Sequence, residues 1–111
     1  MAKFTVDLRR LAMRDLAAMI RNLPTNPIPK PNILISNWVL KLVSELEDEP
    51  DKKGKALVYS HRVPIWAIRC SPLTALYLID RKAAKVEIAR LYDANTCPPW
   101  LNSLFAGPTG P

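Results

Sequence analysis

Glycine is scarce, with three residues in a chain of 111, and that leaves little material for a phosphate-cradling loop. No P-loop, GxGxxG, HExxH, GxSxG or EF-hand pattern occurs, so nucleotide-dependent catalysis is not expected. Histidine occurs once, as His61. Cysteine occurs twice, as Cys70 and Cys97, with no close CxxC or Cys/His spacing, so neither a zinc site nor a disulfide framework is indicated. No cofactor or metal is called for. No apolar run approaches the roughly 18 to 20 residues that span a bilayer. The opening "MAKFTVDLRR" also lacks the apolar stretch and cleavage site of a signal peptide. A cytoplasmic protein with reduced thiols, and no membrane partner, is the expectation.

What is present suits one fold. The length supports a single compact domain, expected over residues 1–105 and followed by a flexible tail at 106–111. Apolar residues make up 49% and charged residues 23%, a balance typical of globular chains. The formal net charge is +6, and excess Lys and Arg raise the potential toward phosphate or carboxylate surfaces. Nucleic acid and an acidic protein are both compatible with it. The charge is uneven, because Glu45, Glu47, Asp48 and Glu49 form an acidic knot inside an otherwise basic chain.

The order of elements follows from periodicity and punctuation. "AKFTVDL" places Phe4 and Val6 on alternate positions and reads as a first strand. From Leu8 on, Leu11, Ala12, Leu16, Met19, Ile20 and Leu23 recur at three- and four-residue steps, so an amphipathic helix is expected up to Pro24. "LPTNPIPKPN" is a stiff proline connector. Asn32 is the expected N-cap of a second helix, with Ile33, Leu34, Ile35, Trp38, Val39, Leu42, Val43 and Leu46 as its apolar face. The two helices are expected to pair antiparallel. "EPDKKGKA" reads as a solvated loop. "ALVYSHRV", "IWAIRC", "LTALYLID" and "KVEIARLY" then read as a meander of three or four antiparallel strands. A short turn at Trp100, Leu101, Leu104 and Phe105 could dock on the core. The fold class is α+β: N-terminal strand, antiparallel two-helix hairpin, antiparallel meander.

Candidate functional residues come mostly from the basic set. Lys52, Lys53 and Lys55 fall in the expected loop, where ammonium groups reach phosphates without fixed geometry; a merely solvated loop explains them equally. Arg81, Lys82 and Lys85 cap the central hairpin, where charge also discourages edge-to-edge pairing. Arg69 shares strand parity with Ile65 and Ala67. Counting by two from Val86 and Ile88 puts Arg90 and Tyr92 on the core side, which demands a carboxylate or carbonyl partner unless a bulge or the sheet margin returns Arg90 to water. His61 beside Arg62 reads first as a packing or surface residue, with a general-base role left open. Arg90, Tyr92 and Asp93 close the last strand as candidate contacts. Leu76, Leu78, Ile79, Val86 and Ile88 read as the centre of the sheet.

In this arrangement the chain resembles the RelE/ParE superfamily of bacterial toxins, which are encoded with a neutralising antitoxin. The likeness covers about residues 1 to 95. Its landmarks are "LAMRDLAAMI", "LKLVSELEDEP", "IWAIRCSPLTALYLID" and "KVEIARLYDA". The resemblance implies one of two activities: RelE-like members cut mRNA on the ribosome with lysines, arginines and a tyrosine, whereas ParE-like members lack that set and poison DNA gyrase. With Arg69 and Tyr77 aligned to the family's strand residues, Ile65, Ala67, Thr74 and Thr96 stand at or near positions where nucleases carry basic side chains. The resemblance therefore points to a ParE-like inhibitor neutralised by a cognate antitoxin. The alternatives are an mRNA interferase with a rearranged set (His61, Arg62, Arg69, Arg90, Tyr92) and a basic nucleic-acid-binding or assembly protein. An antitoxin would dock between sheet and helices, with Trp38 and Trp66 as candidate anchors.

Overall fold

The computed structural model describes residues 3–22, 31–57 and 64–105. Along the chain these form β1 (Thr5–Leu8), α1 (Arg10–Asn22), α2 (Pro31–Glu47), α3 (Pro50–Lys53), β2 (Lys55–Leu57), β3 (Ile65–Cys70), β4 (Leu73–Asp80), β5 (Lys85–Tyr92) and α4 (Pro99–Ser103). The proline connector, His61, Arg62 and the tail at 106–111 lie outside the described residues.

The strands form one five-stranded sheet in the order β1-β5-β4-β3-β2. Strands β2 to β5 are successive antiparallel neighbours, as the alternation of apolar runs and breakers predicts. The first strand departs from an all-antiparallel arrangement: β1 joins β5 in parallel, with Val6 opposite Val86 and Leu8 opposite Ile88. The sheet is therefore mixed. A parallel neighbour needs a long crossover, and here α1, α2 and three strands separate β1 from its partner in sequence.

One face of the sheet is buried under α1 and α2. Ala12, Leu16 and Met19 on α1 and Ile35, Leu42 and Leu46 on α2 meet Ile68, Leu73, Ala75, Tyr77, Val86, Ile88 and Leu91 in one core. Helical steps of three and four residues produce the contributing stripe on each helix. The expected two-helix hairpin is not a separate unit. α1 packs chiefly on β5, whereas α2 crosses β1, β3 and β4. The two helices meet along a shallow groove lined by Leu16, Ile20, Ile35, Val39 and Leu40.

Local chemistry accounts for three further departures. α2 begins at Pro31, so Asn32 lies inside the first turn and is not the cap; proline's fixed φ and missing N–H suit a first helical position. The expected lysine loop is instead α3 followed directly by β2, with Pro50 opening the short helix. Gly54 joins them because a side chain there has no room: an added Cβ would overlap the Tyr77 hydroxyl and lie 2.9 Å from the Ala67 carbonyl oxygen. Finally, Leu76 and Leu78 are half-buried on the opposite face of β4, while Leu73, Ala75 and Tyr77 are the residues that enter the core.

The register of β5 contains the decisive irregularity. Tyr77 pairs with Ile88, but its neighbour Leu76 pairs with Arg90. Ala89 is thus an extra residue, and a bulge of this kind reverses the facing of everything after it. Leu91 takes the core position that regular counting assigns to Arg90, and Arg90 and Tyr92 pass to the open face. Of the routes anticipated for Arg90, the structure combines two, the bulge and a carboxylate partner, Asp15.

Candidate functional site

Residues paired across adjacent strands share a face, so the register defines the face not covered by α1 and α2. One row runs Lys55, Ala67, Leu76, Arg90, and the next runs Arg69, Thr74, Tyr92. Leu57 with Ile65, and Leu78 with Glu87, continue it. Positions Ile65, Ala67 and Thr74, where cations are absent, therefore all belong to this face, with Ile65 half-buried and Ala67 and Thr74 fully buried. Four aliphatic residues, Leu57, Ile65, Leu76 and Leu78, occupy its middle, each half-buried.

Arg90 is held across the sheet margin. Its Nε donates to Asp15 Oδ2 at 2.9 Å and a terminal nitrogen to Asp15 Oδ1 at 3.0 Å, a bidentate fork. The same carboxylate accepts from the Leu91 amide at 3.0 Å. This geometry follows from the shortness of β1. That strand ends at Leu8, Arg9 makes the last main-chain bond to the Ile88 carbonyl, and beyond it α1 supplies Asp15 to satisfy the edge of β5. Asp15 holds the Arg90 proton more firmly, and the guanidinium lies 5.3 Å from the centre of the Tyr92 ring.

Arg69 occupies the other corner. Its Nε donates to Thr74 Oγ1 at 3.0 Å, and a terminal nitrogen reaches Cys97 Sγ at 3.7 Å and Asn102 Oδ1. All of these acceptors are neutral. The Lys55 ammonium donates to the Leu104 carbonyl, and both cations lie over the Phe105 ring, at 5.3 Å for Lys55 and 5.1 Å for Arg69. The segment from Cys97 to Phe105, anchored by the fully buried Leu101, thus covers the Lys55–Arg69 corner. The apolar turn expected at Trp100 to Phe105 is this element, although Trp100 itself is exposed.

The remaining candidates are placed as follows. Lys52 pairs with Glu49 at 3.6 Å and Lys53 with Glu45 at 3.3 Å, so the lysines partly neutralise the acidic end of α2. At the central hairpin Arg81 meets Asp51 at 3.3 Å and Lys85 meets Asp7 at 3.1 Å. Arg90, Tyr92 and Asp93 do converge, around a cleft of about 220 Å³ closed on its other side by Asp15, Ala18 and Asn22. The Asp93 carboxylate is engaged locally, accepting from the Asn95 amide at 2.9 Å and from the Thr96 amide and hydroxyl at 2.9 and 3.0 Å. Trp38 and Trp66 are half-buried against the core, with Trp66 stacked on Tyr77 at 6.5 Å. Cys70 is buried and Cys97 partly so, and both are free thiols.

Among the described residues, the groups with shifted titration are moved away from neutrality. Burial pushes the Tyr92 hydroxyl up, the nearby Arg90 charge opposing and Asp15 adding to the rise. Burial also raises Tyr77, whose hydroxyl donates to the Pro50 carbonyl at 2.6 Å, and raises the Cys70 thiol. A general acid or base works best with a pKa near the working pH, and these phenols and this thiol stay protonated there. Sequence reasoning missed Asp15 and Asn102. The available signal for Asp15 was slight: it is the sole acid in α1, among arginines.

No protein-family model matches the chain, and no curated protein matches its sequence. Solved structures do resemble it. A chain of the toxin-antitoxin complex RelBE2 from Mycobacterium tuberculosis is 26% identical with a TM-score of 0.63, over 84% of this chain and 93% of that one. A chain of the archaeal RelE-RelB complex from Pyrococcus horikoshii is 15% identical with a TM-score of 0.57, over 85% and 98%. A chain of the chromosomal ParDE toxin-antitoxin system from P. aeruginosa is 16% identical with a TM-score of 0.58, over 81% and 95%. The last two share the fold alone, one from each branch. With its mixed five-stranded sheet under two helices and its likeness to these structures, the chain belongs to the RelE/ParE superfamily.

Proposed function

We propose that this chain is the toxin of a type II toxin-antitoxin system, acts in the cytoplasm as a ParE-like inhibitor of DNA gyrase, and is neutralised by a cognate antitoxin. One observation carries the reading: the open face is apolar in its middle, with Leu57, Ile65, Leu76 and Leu78, each half-buried. Its two arginines are already engaged, Arg90 by Asp15 and Arg69 by Thr74 and Asn102. Phosphodiester cleavage develops negative charge that preorganised donors must stabilise, each worth about 3 kcal/mol in comparable sites. A surface lacking cations at three of those positions, with phenols held protonated, is poorly built for that. It is better built to lie against another protein, where apolar area with a charged margin is the usual composition.

The second reading, a RelE-like ribosome-dependent interferase, draws on the RelBE2 likeness and on the absence of a carboxylate beside Arg69 among the described residues. Its working set would combine Arg69, Arg90 and Tyr92 with His61 and Arg62. A plasmid supercoiling assay and a ribosome-containing mRNA cleavage assay, run side by side on the purified chain, separate the two. Gyrase inhibition with intact mRNA is the expected pair of results. Cleaved mRNA with unaffected gyrase would replace the first reading by the second, and inactivity in both would leave the third, a basic nucleic-acid-binding or assembly protein.

A further inference from the structure

The surplus positive charge of this protein does not reside where the sequence suggests. Lys52, Lys53, Lys85, Arg9, Arg81 and Arg90 all have carboxylate partners, and Lys55 is held by the C-terminal segment. Lys3, Lys41 and Lys82 have no such partner among the described residues and stand singly in separate parts of the chain, whereas on α1 the unpartnered cations are grouped. Arg10, Arg14 and Arg21 make no hydrogen bond or ion pair with any described residue. At about 100° per residue they fall within about 40° of arc on the helix, directly opposite the buried Ala12 and Met19, and span about 16 Å along its axis. Only Ala17 interrupts the stripe.

This arrangement is costly to the helix that contains it. Arg10 and Arg14 are like charges at i and i+4, which repel. Arg10 also sits in the first turn, where the helix dipole favours acids, and that turn contains none. Surfaces that serve solubility alone mix the two signs. Beside the stripe, α1 and β5 enclose a cleft of about 560 Å³ lined by Leu11, Arg14, Asp15, Ala17, Arg21 and Arg90. Its one carboxylate is already engaged by Arg90. Three guanidinium groups therefore converge on a cleft with no free acceptor, two of them with unused donors.

We infer that the arginine stripe of α1, with its cleft against β5, is a docking site for a nucleic-acid phosphodiester backbone. Guanidinium forks match phosphate oxygens in bidentate fashion. A row of about 16 Å passes several consecutive phosphates of a duplex strand, which advance about 3.4 Å each along the helix axis. The contact is to backbone and not to bases, since the stripe offers charge and no aromatic platform for stacking. It lies on the α1 side of the sheet margin, apart from the apolar face assigned to the protein target, so it stands whether or not gyrase is that target.

The test measures fluorescence anisotropy of labelled single-stranded RNA, single-stranded DNA and duplex DNA, titrated with the full chain at several salt concentrations without gyrase or ribosomes. The inference expects binding that weakens steeply with salt. Arg14→Gln with Arg21→Gln should lower affinity at least about tenfold and reduce the salt slope by about two, one per lost phosphate contact. Arg14→Lys with Arg21→Lys should keep the slope. Lys52→Gln with Lys53→Gln should bind like the parent. Both arginine residues are exposed, so an unchanged thermal melt verifies the fold. Preference for RNA or for duplex DNA assigns the source of the backbone. No binding at low salt, an unaltered slope in the glutamine variant, or tighter binding of a polyglutamate probe than of any nucleic acid would overturn the inference.

Discussion

Tyr77 shows how a residue at a position suggestive of chemistry serves the fold instead. It is fully buried in the core, stacks on Trp66 and donates its hydroxyl to the Pro50 carbonyl at 2.6 Å, fastening β4 to the start of α3. Tyr77→Phe leaves that carbonyl without a donor and should cost about 1–3 kcal/mol in chemical denaturation. The pH dependence follows from the sign of the shift. Burial, assisted by Asp51, raises this phenol above its ordinary value, so the folded chain keeps a proton that the unfolded chain releases near about pH 10. The contribution of Tyr77 is complete below that pH and is lost as pH climbs beyond it. A Tyr77→Phe chain should show a shallower alkaline decline in stability than the parent. Gly54 belongs to the same contact. Gly54→Ala forces Cβ against the Tyr77 hydroxyl and the Ala67 carbonyl, and the main-chain oxygen cannot yield cheaply, so a loss of about 1–3 kcal/mol is expected in the same measurement.

Among the elements, α1 and β5 depend most on one shared group. Asp15 replaces a missing strand neighbour by accepting the Leu91 amide and clamps Arg90 at the same time. With the Asp15 side chain 18% exposed and Arg90 39%, solvent screens part of the interaction. Asp15→Ala should cost about 1–3 kcal/mol and Arg90→Ala somewhat less, since the second leaves the Leu91 amide satisfied. A double-mutant cycle should return a coupling of at least about 0.5 kcal/mol; additive losses would mean that the fork contributes nothing to stability. Legibility in the sequence follows the same division between local and distant causes. Both long helices were readable because apolar residues recur at three and four steps, and the β3–β4 and β4–β5 hairpins because breakers separate alternating runs. The parallel pairing of β1, the Ala89 bulge and the Asp15 clamp were not, because each depends on a partner distant in sequence. The short helix α3 was hidden in a stretch whose Asp, Gly and Lys content is that of a loop, and Pro50 at its first turn was the overlooked start signal. At the site, the poverty of cations at Ile65, Ala67 and Thr74 was visible in the sequence. That Arg90 lies with them on one face was not, because the bulge decides it.

On the scale of the whole molecule, charge and apolar surface are sorted onto different sides. The two helices cover one face of the sheet, the open face is aliphatic in its centre, and the unpaired arginines line the outside of α1. The first and second features are common to a fold that buries one sheet face and presents the other. The third gives the protein a polyanion-binding flank independent of its target surface. A protein-directed toxin uses such sorting well, because apolar area provides the docking contact while long-range charge accelerates encounter with complexes that hold nucleic acid. The most direct test of this account is DNA gyrase activity on relaxed plasmid in the presence of the purified chain, with no ribosomes. The account predicts loss of supercoiling together with accumulation of linear, gyrase-cleaved plasmid as the chain is titrated in. Full supercoiling at every concentration, from a chain that nevertheless arrests growth when expressed without its antitoxin, would contradict it.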